Sequence, residues 1–179
     1  MSPDLASRVR EAALLEGDFV LSSGKRSSFY VDKYLFSTEP ALLRDVAAAL
    51  AGELPEGVER LAGVELGAVP LVVAVSLGTG LPYVIVRKAA KEYGASAGES
   101  IEGELKGGEK VALIEDVVTT GTQAVAAAGR LEEAGAEVAK IVAVLDRREE
   151  KGEGLAESLD RFPFAALLKM EELRVAKED

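Results

Sequence analysis

The chain has 179 residues, 48% of them apolar, and 21 Lys and Arg against 31 Asp and Glu, for a net charge of −10. That size and apolar content suit one domain with a sizeable core, spanning 1–179, while the acidic balance excludes the broad basic surface on which nonspecific nucleic-acid binding depends. With no cysteine and no histidine, disulfides, thiolate metal sites and imidazole chemistry are excluded, so catalysis must use carboxylates, amines, guanidinium groups, hydroxyls or a metal.

The opening MSPDLASRVR lacks an apolar signal core, and the longest apolar run, Ala68 to Val75, is far too short to span a bilayer. These features predict a cytoplasmic protein with no membrane partner. Ser2 to Glu16 reads as a helix, with Ser2 or Asp4 as N-cap, Pro3 placed early and Gly17 as the stop. FVLSSGKRSSFYVDKYLF has strand-like ends around a turn-rich middle and predicts a hairpin or hood, so hood elements occupy about 1–38. Pro40 to Gly52 returns to helix. Strands follow at Leu61 to Val64, Tyr83 to Val86, Val111 to Ile114 and Val138 to Leu145, separated by helices at Val69 to Leu77 and Thr122 to Ala134.

The strand runs do not alternate polar with apolar, as expected of strands buried on both faces. The pattern predicts an α/β fold: a doubly wound, mainly parallel sheet flanked by helices, with a small N-terminal hood and its site beyond the carboxyl ends of the strands. Ala89 to Gly108 interrupts the rhythm with five glycines and several charges, a long connection of the kind that carries function. The closing EELRVAKED reads as a solvated terminal helix. Asparagine is absent and glutamine occurs once beside 29% charged residues, a bias found in heat-adapted proteins.

The segment VALIEDVVTTGTQAVAAAGRL runs from a buried strand through a polar loop into an Ala-rich helix. Backbone N–H groups at the helix start, with the hydroxyls of Thr119, Thr120 and Thr122, suit a phosphate dianion, and Gly121 lets the backbone approach it. The spacing is neither a Walker A loop nor a dinucleotide fingerprint. Glu115 and Asp116 make sense if the ligand is a sugar phosphate, its phosphate at the threonine end and its vicinal hydroxyls donating to the carboxylates. A solvated turn whose acids cap the helix is the plainer alternative.

Two acids after an apolar strand, then V-V-T-T-G-T before a helix, resemble the phosphoribosyl-pyrophosphate signature of the type I phosphoribosyltransferases. The resemblance carries the donor site to Glu115, Asp116, Val117, Val118, Thr119, Thr120, Gly121, Thr122 and Gln123. VRKAAKEYG resembles the lid loop R-K-x-x-K-x-[HY]-G of the orotate phosphoribosyltransferases, which closes over the active site, often that of the neighbouring subunit. FVLSSGKRSSFY and the DRRE after Leu145 match two further motifs of that family, in family order over Phe19 to Glu149. The resemblance implies a flexible catalytic lid at about 87–108, with Arg87, Lys88, Lys91 and Tyr93 on the donor and Lys91, Lys88 and Tyr93 in catalysis. It also implies orotate contacts from Thr119 and Arg147, with Tyr30 and Lys25 of the hood as further candidates.

The chain departs from the family pattern at three places. Ser22 stands where many bacterial members have lysine, Tyr93 where many have histidine, and the turn GVELGAVP, Gly63 to Pro70, which resembles the family's pyrophosphate loop, lacks the lysine that some members carry there. The implied reaction transfers ribose 5-phosphate from phosphoribosyl pyrophosphate to orotate. Catalysis by position and electrostatics accords with a chain lacking histidine and cysteine. Mg2+ is the implied cofactor, held through diphosphate and ribose hydroxyls with no dedicated protein ligand, and the implied partners are the two substrates and a second copy of the chain, with lid residues acting across the interface. A purine phosphoribosyltransferase, a nucleic-acid-binding ligand sensor and an inactive partner subunit are the rival readings; the absence of a basic face counts against the sensor.

Overall fold

The computed structural model describes residues 3–20, 24, 26–89, 100–148 and 157–174. Helix α1 (Pro3–Ala13) leads directly into β1 (Leu14–Val20), which pairs antiparallel with β2 (Arg26–Val31). The helix therefore ends earlier than the expected Glu16, because Leu14, Leu15 and Glu16 take Val31, Tyr30 and Phe29 as strand partners. The hairpin forms the hood, but Asp32 to Phe36 do not continue it. Asp32 accepts a hydrogen bond from the Tyr34 N–H at 3.0 Å and caps a short helix, α2 (Lys33–Thr38). Helix α3 (Pro40–Gly52) is capped likewise, the Glu39 carboxylate accepting from the N–H groups of Ala41 and Leu42.

Six strands form the main sheet: β3 (Arg60–Val64), β4 (Tyr83–Val86), β5 (Ile101–Glu102), β6 (Lys110–Val118), β7 (Glu137–Asp146) and β8 (Phe164–Lys169). Their order is β5-β4-β3-β6-β7-β8, parallel except for the β4–β5 pair. One face is covered by α1, α2, α3, α4 (Val69–Thr79) and α6 (Met170–Arg174), through residues such as Val9, Phe36, Leu50, Leu71 and Leu173. The other is covered by α5 (Thr122–Glu133) and a 3-10 turn at Glu157–Arg161, through Ala127, Leu131 and Leu159. The expected doubly wound α/β architecture is thus what the chain forms, and both-face burial explains why its strands read as unbroken apolar runs.

Two strands escaped the sequence reading. β5 is only two residues long, and β8, FAALLK, offers no alternation and directly abuts α6. The tail also differs from expectation: within α6 Leu173 is fully buried, docking the helix on the core rather than leaving it solvated. No helix among the described residues is long and apolar enough to cross a membrane.

Strand order fixes where a ligand can enter. From β3 the chain passes through α4 to β4 on one side, whereas β6 lies on the other side of β3 and passes through α5 to β7. The carboxyl ends of β3 and β6 therefore flank a topological switch point, where the outgoing loops diverge and leave a crevice.

Candidate active site

The loop after β6 supplies one wall of that crevice. Gly121 has φ +83°, the left-handed region that a side chain disfavours, and it stands at the N-terminus of α5 with no side chain capping the helix. Thr120 Oγ1 lies 3.0 Å from Thr122 Oγ1, and both threonines are exposed, as are Thr119 and Gln123. Exposed hydroxyls beside an uncapped helix start form an arrangement suited to an anion.

Glu115 and Asp116 are not in this loop. Strand β6 continues to Val118, so both carboxylates belong to the strand end, and both are buried, at 6% and 4% exposure. The strand outlasts the apolar run because β7 pairs with it as far as Val118↔Asp146. Alternation along β6 sends Asp116 to the face of Ile114, where α2 lies. There Asp116 Oδ2 meets Lys33 Nζ at 2.8 Å, while Oδ1 accepts from the Val117 N–H.

Burial, reinforced by the neighbouring charge of Asp116, raises the Glu115 pKa to about 8, against the opposing pull of Lys33 and Lys88. Burial alone would lower the Lys33 pKa, but its hydrogen bond to Asp116 and the nearby carboxylate charges outweigh it and raise the value. Near neutral pH one carboxyl is thus mainly protonated beside an ion pair.

The loop after β3 forms the opposite wall. A Cβ on Gly67 would fall on the Asp116 carboxylate and lie 3.1 Å from Lys33 Nζ, so only glycine permits this approach of loop to strand. In the same loop Glu65 Oε1 accepts a 2.6 Å hydrogen bond from the Lys88 N–H, and Arg130 of α5 donates to the Lys88 carbonyl at 2.9 Å. Arg87 Nη1 donates to Glu102 Oε1 at 3.2 Å, and its N–H bonds the Ser100 carbonyl, across the β4–β5 pair. Lys88 itself is exposed.

Arg147 reaches the crevice through the backbone: its N–H donates to the Val118 carbonyl at 2.8 Å, next to Thr119. Val117 and Val118 are largely buried on either side of the sheet, and serve as framework for the loop.

A family model described as a phosphoribosyl transferase domain matches residues 38–161. The orotate phosphoribosyltransferase of Natronomonas pharaonis is 48% identical over 155 residues, covering 86% of this chain and 87% of that protein. That of Methanocella arvoryzae is 42% identical over 176 residues, covering 97% of both. The chain belongs to the orotate phosphoribosyltransferase family.

Solved members of the orotate phosphoribosyltransferase family share the fold. The enzyme of Aeropyrum pernix superposes with TM-score 0.78 at 28% identity, covering 97% of this chain and 96% of that one. The Mycobacterium tuberculosis enzyme in complex with 5-phospho-α-D-ribosyl 1-diphosphate superposes with TM-score 0.71 at 27% identity, covering 96% and 97%.

Of the family residues expected from sequence, Arg87 and Lys88 follow β4, the run Glu115 to Gln123 spans the end of β6 and the start of α5, and Arg147 follows β7, all at the carboxyl end of the sheet. Tyr30 is on the hood, 40% exposed, with its ring centroid 5.5 Å from that of Phe19. Lys25, Ser22, Lys91, Tyr93 and the rest of 90–99 in the expected lid lie outside the described residues. Three residues of the site were absent from the sequence reading: Lys33, Glu65 and Arg130. Asp32 as an N-cap was the available signal for the first, hidden by extending the hood strand through it; Glu65 and Arg130 act across long sequence separations that no local pattern reports.

Proposed function

We propose that this chain transfers ribose 5-phosphate from 5-phospho-α-D-ribose 1-diphosphate to N1 of orotate, releasing diphosphate and giving orotidine 5′-phosphate in pyrimidine (UMP) biosynthesis, EC 2.4.2.10. The observation that carries the reading is the convergence at one switch point of the threonine loop, the buried carboxylates and Arg147, whose backbone is bonded to the base of that loop. The 5-phosphate is assigned to Thr119, Thr120, Gly121 and Thr122 and the start of α5, and the ribose hydroxyls to Glu115 and Asp116. Arg147 and Thr119 are assigned to the polar edge of orotate, where a planar guanidinium matches a carboxylate.

Transfer at the anomeric carbon makes the diphosphate a leaving group and the sugar cationic in character. Such a step gains most from preorganised charge, which in this assignment Lys88 and Lys91 supply, with the Tyr93 hydroxyl as a hydrogen-bond donor and the lid excluding water that would hydrolyse the donor. Mg2+ is assigned to the diphosphate and ribose oxygens of the donor and to water, which this ion prefers to a dedicated protein cage. Bound with the donor, it supplies charge neutralisation to the diphosphate.

The chain is further assigned as one cytoplasmic domain, 1–179, that works as a homodimer. Leu66 and Leu77, 65% and 83% exposed, leave apolar surface at the β3 loop and on α4 that a second subunit would cover. The direct test mixes purified protein with the donor, magnesium and orotate and follows loss of orotate absorbance. Uracil, hypoxanthine and adenine serve as controls, and consumption of adenine or hypoxanthine in preference to orotate overturns the assignment. Light scattering at working concentration tests the dimer.

A further inference from the structure

Lys33 opens α2, directly after the hood hairpin. Its ammonium reaches across to the end of β6, 2.8 Å from Asp116 Oδ2, and it sits above the Gly67 backbone, where a Cβ would be 3.1 Å away. Three separate pieces of the chain, α2, the β3 loop and the β6 terminus, therefore meet at one cation. Its side chain is 37% exposed while the Asp116 carboxylate beneath is 6% exposed, so the ammonium forms the solvent-facing surface of the pair.

The direction of a bound donor gives that surface a role. With the 5-phosphate at the threonine loop and the ribose hydroxyls on Glu115 and Asp116, the substituent on the anomeric carbon extends away from the threonines and toward Gly67. That substituent is a diphosphate, which carries the highest charge density of the ligand. The loop from Glu65 to Ala68 that receives it contains no cation and brings in the carboxylate of Glu65. Any protein cation directly over this loop must come from elsewhere in the chain, and Lys33 is already there.

Resting on the phosphoribosyl-transfer reading above, we infer that Lys33 is a diphosphate-binding residue: its ammonium, paired with Asp116, turns to the diphosphate oxygens over Gly67 when the donor binds, freeing Asp116 Oδ2 to accept a ribose hydroxyl. In the exchange a ribose hydroxyl takes the place of the ammonium as hydrogen-bond donor to Asp116. A buried carboxylate with no donor at all is strongly disfavoured, so the ion pair maintains the site until the sugar hydroxyls arrive.

The test compares wild type, Lys33→Gln and Lys33→Arg by calorimetry in magnesium buffer, with inorganic diphosphate and ribose 5-phosphate titrated separately. In Lys33→Gln, diphosphate affinity falls roughly ten- to a hundredfold, the range of a lost charge-assisted hydrogen bond, while ribose 5-phosphate affinity changes by less than about threefold. Lys33→Arg keeps diphosphate affinity within about threefold of wild type. Unchanged diphosphate binding in Lys33→Gln overturns the inference. So does equal weakening of both ligands, which marks a residue that only props Asp116, or an equal loss in Lys33→Arg. Wild-type protein that fails to convert orotate overturns the functional reading instead; orotate conversion by wild type with unaltered diphosphate binding in Lys33→Gln overturns this inference alone.

Discussion

The Glu65 carboxylate accepts a 2.6 Å hydrogen bond from the Lys88 backbone N–H, joining the loop after β3 to the residue that follows Arg87 at the end of β4. Arg130 bonds the carbonyl of the same residue from α5. Both polar groups of the Lys88 peptide are thus held, which fixes where its side chain departs toward the crevice. Glu65→Ala is expected to lower kcat/KM for the donor roughly tenfold, the scale of one hydrogen bond to a charged acceptor, with orotate KM nearly unaltered. Glu65→Gln retains an acceptor and should recover most of the loss. Steady-state kinetics with each substrate varied decide it; equal losses in the two variants would show that charge, not backbone placement, is what Glu65 contributes.

Arg147 makes a second kinetic prediction, on the other substrate. Its backbone bond to Val118 sets it beside Thr119, in the loop system to which the phosphate is assigned. Arg147→Ala should raise orotate KM by roughly ten- to a hundredfold, and Arg147→Lys should restore only part of this, because an ammonium cannot make the paired contacts of a guanidinium. An unchanged orotate KM would remove Arg147 from the base site.

Much of this was legible in the sequence, for identifiable reasons. The strands β3, β4, β6 and β7 are buried on both faces and so leave continuous apolar runs, and α5 is announced by Gly121 and the alanines after it. β8 was not legible because FAALLK is equally a buried helix by periodicity, and its partner β7 is distant in sequence. At the site, the threonine loop was readable because its chemistry is local. The burial of Glu115 and Asp116 was not, because it depends on β7 extending the ladder and on Gly67 and Lys33 arriving from elsewhere. The carboxylates looked like the mouth of a loop and are instead the floor of the crevice.

That burial leads to a prediction about protons. With its pKa raised to about 8 chiefly by desolvation, Glu115 is mostly protonated in the empty site at pH 7. Ribose hydroxyls donating to it favour the ionised form, so donor binding should release protons at pH 7, and donor affinity should rise from pH 6 to 8 and then level off. Calorimetry in two buffers of different ionisation enthalpy measures the release, which Glu115→Gln should abolish. The same shift has a stability counterpart. Folded protein binds this proton more tightly than unfolded, so the contribution is full below about pH 4.5, declines as pH rises, and is gone above about pH 8. Release of equal size in Glu115→Gln would assign the proton to another group.

The opposite end of the sheet carries an ion pair of the reverse sign. Arg60, at the start of β3, donates from Nε and Nη2 to the two oxygens of Glu109 at 2.6 and 2.8 Å, and its side chain is 7% exposed. The hydrogen bond from Arg60 is the main reason the Glu109 pKa is lowered from 4.5 to about 2, outweighing partial burial. Unfolded protein binds this proton more tightly, so the contribution is present above about pH 4.5 and is lost as pH falls toward 2. Arg60→Ala should cost about 3 kcal/mol at pH 7, the scale for removing one partner of a buried pair, with donor and orotate kinetics little affected because the pair is at the amino end of β3, remote from the crevice. Urea unfolding at pH 7, 4 and 2.5 checks both parts: the gap between wild type and variant should narrow as pH falls, and a gap independent of pH would mean that Arg60 acts through packing of its stem rather than through Glu109.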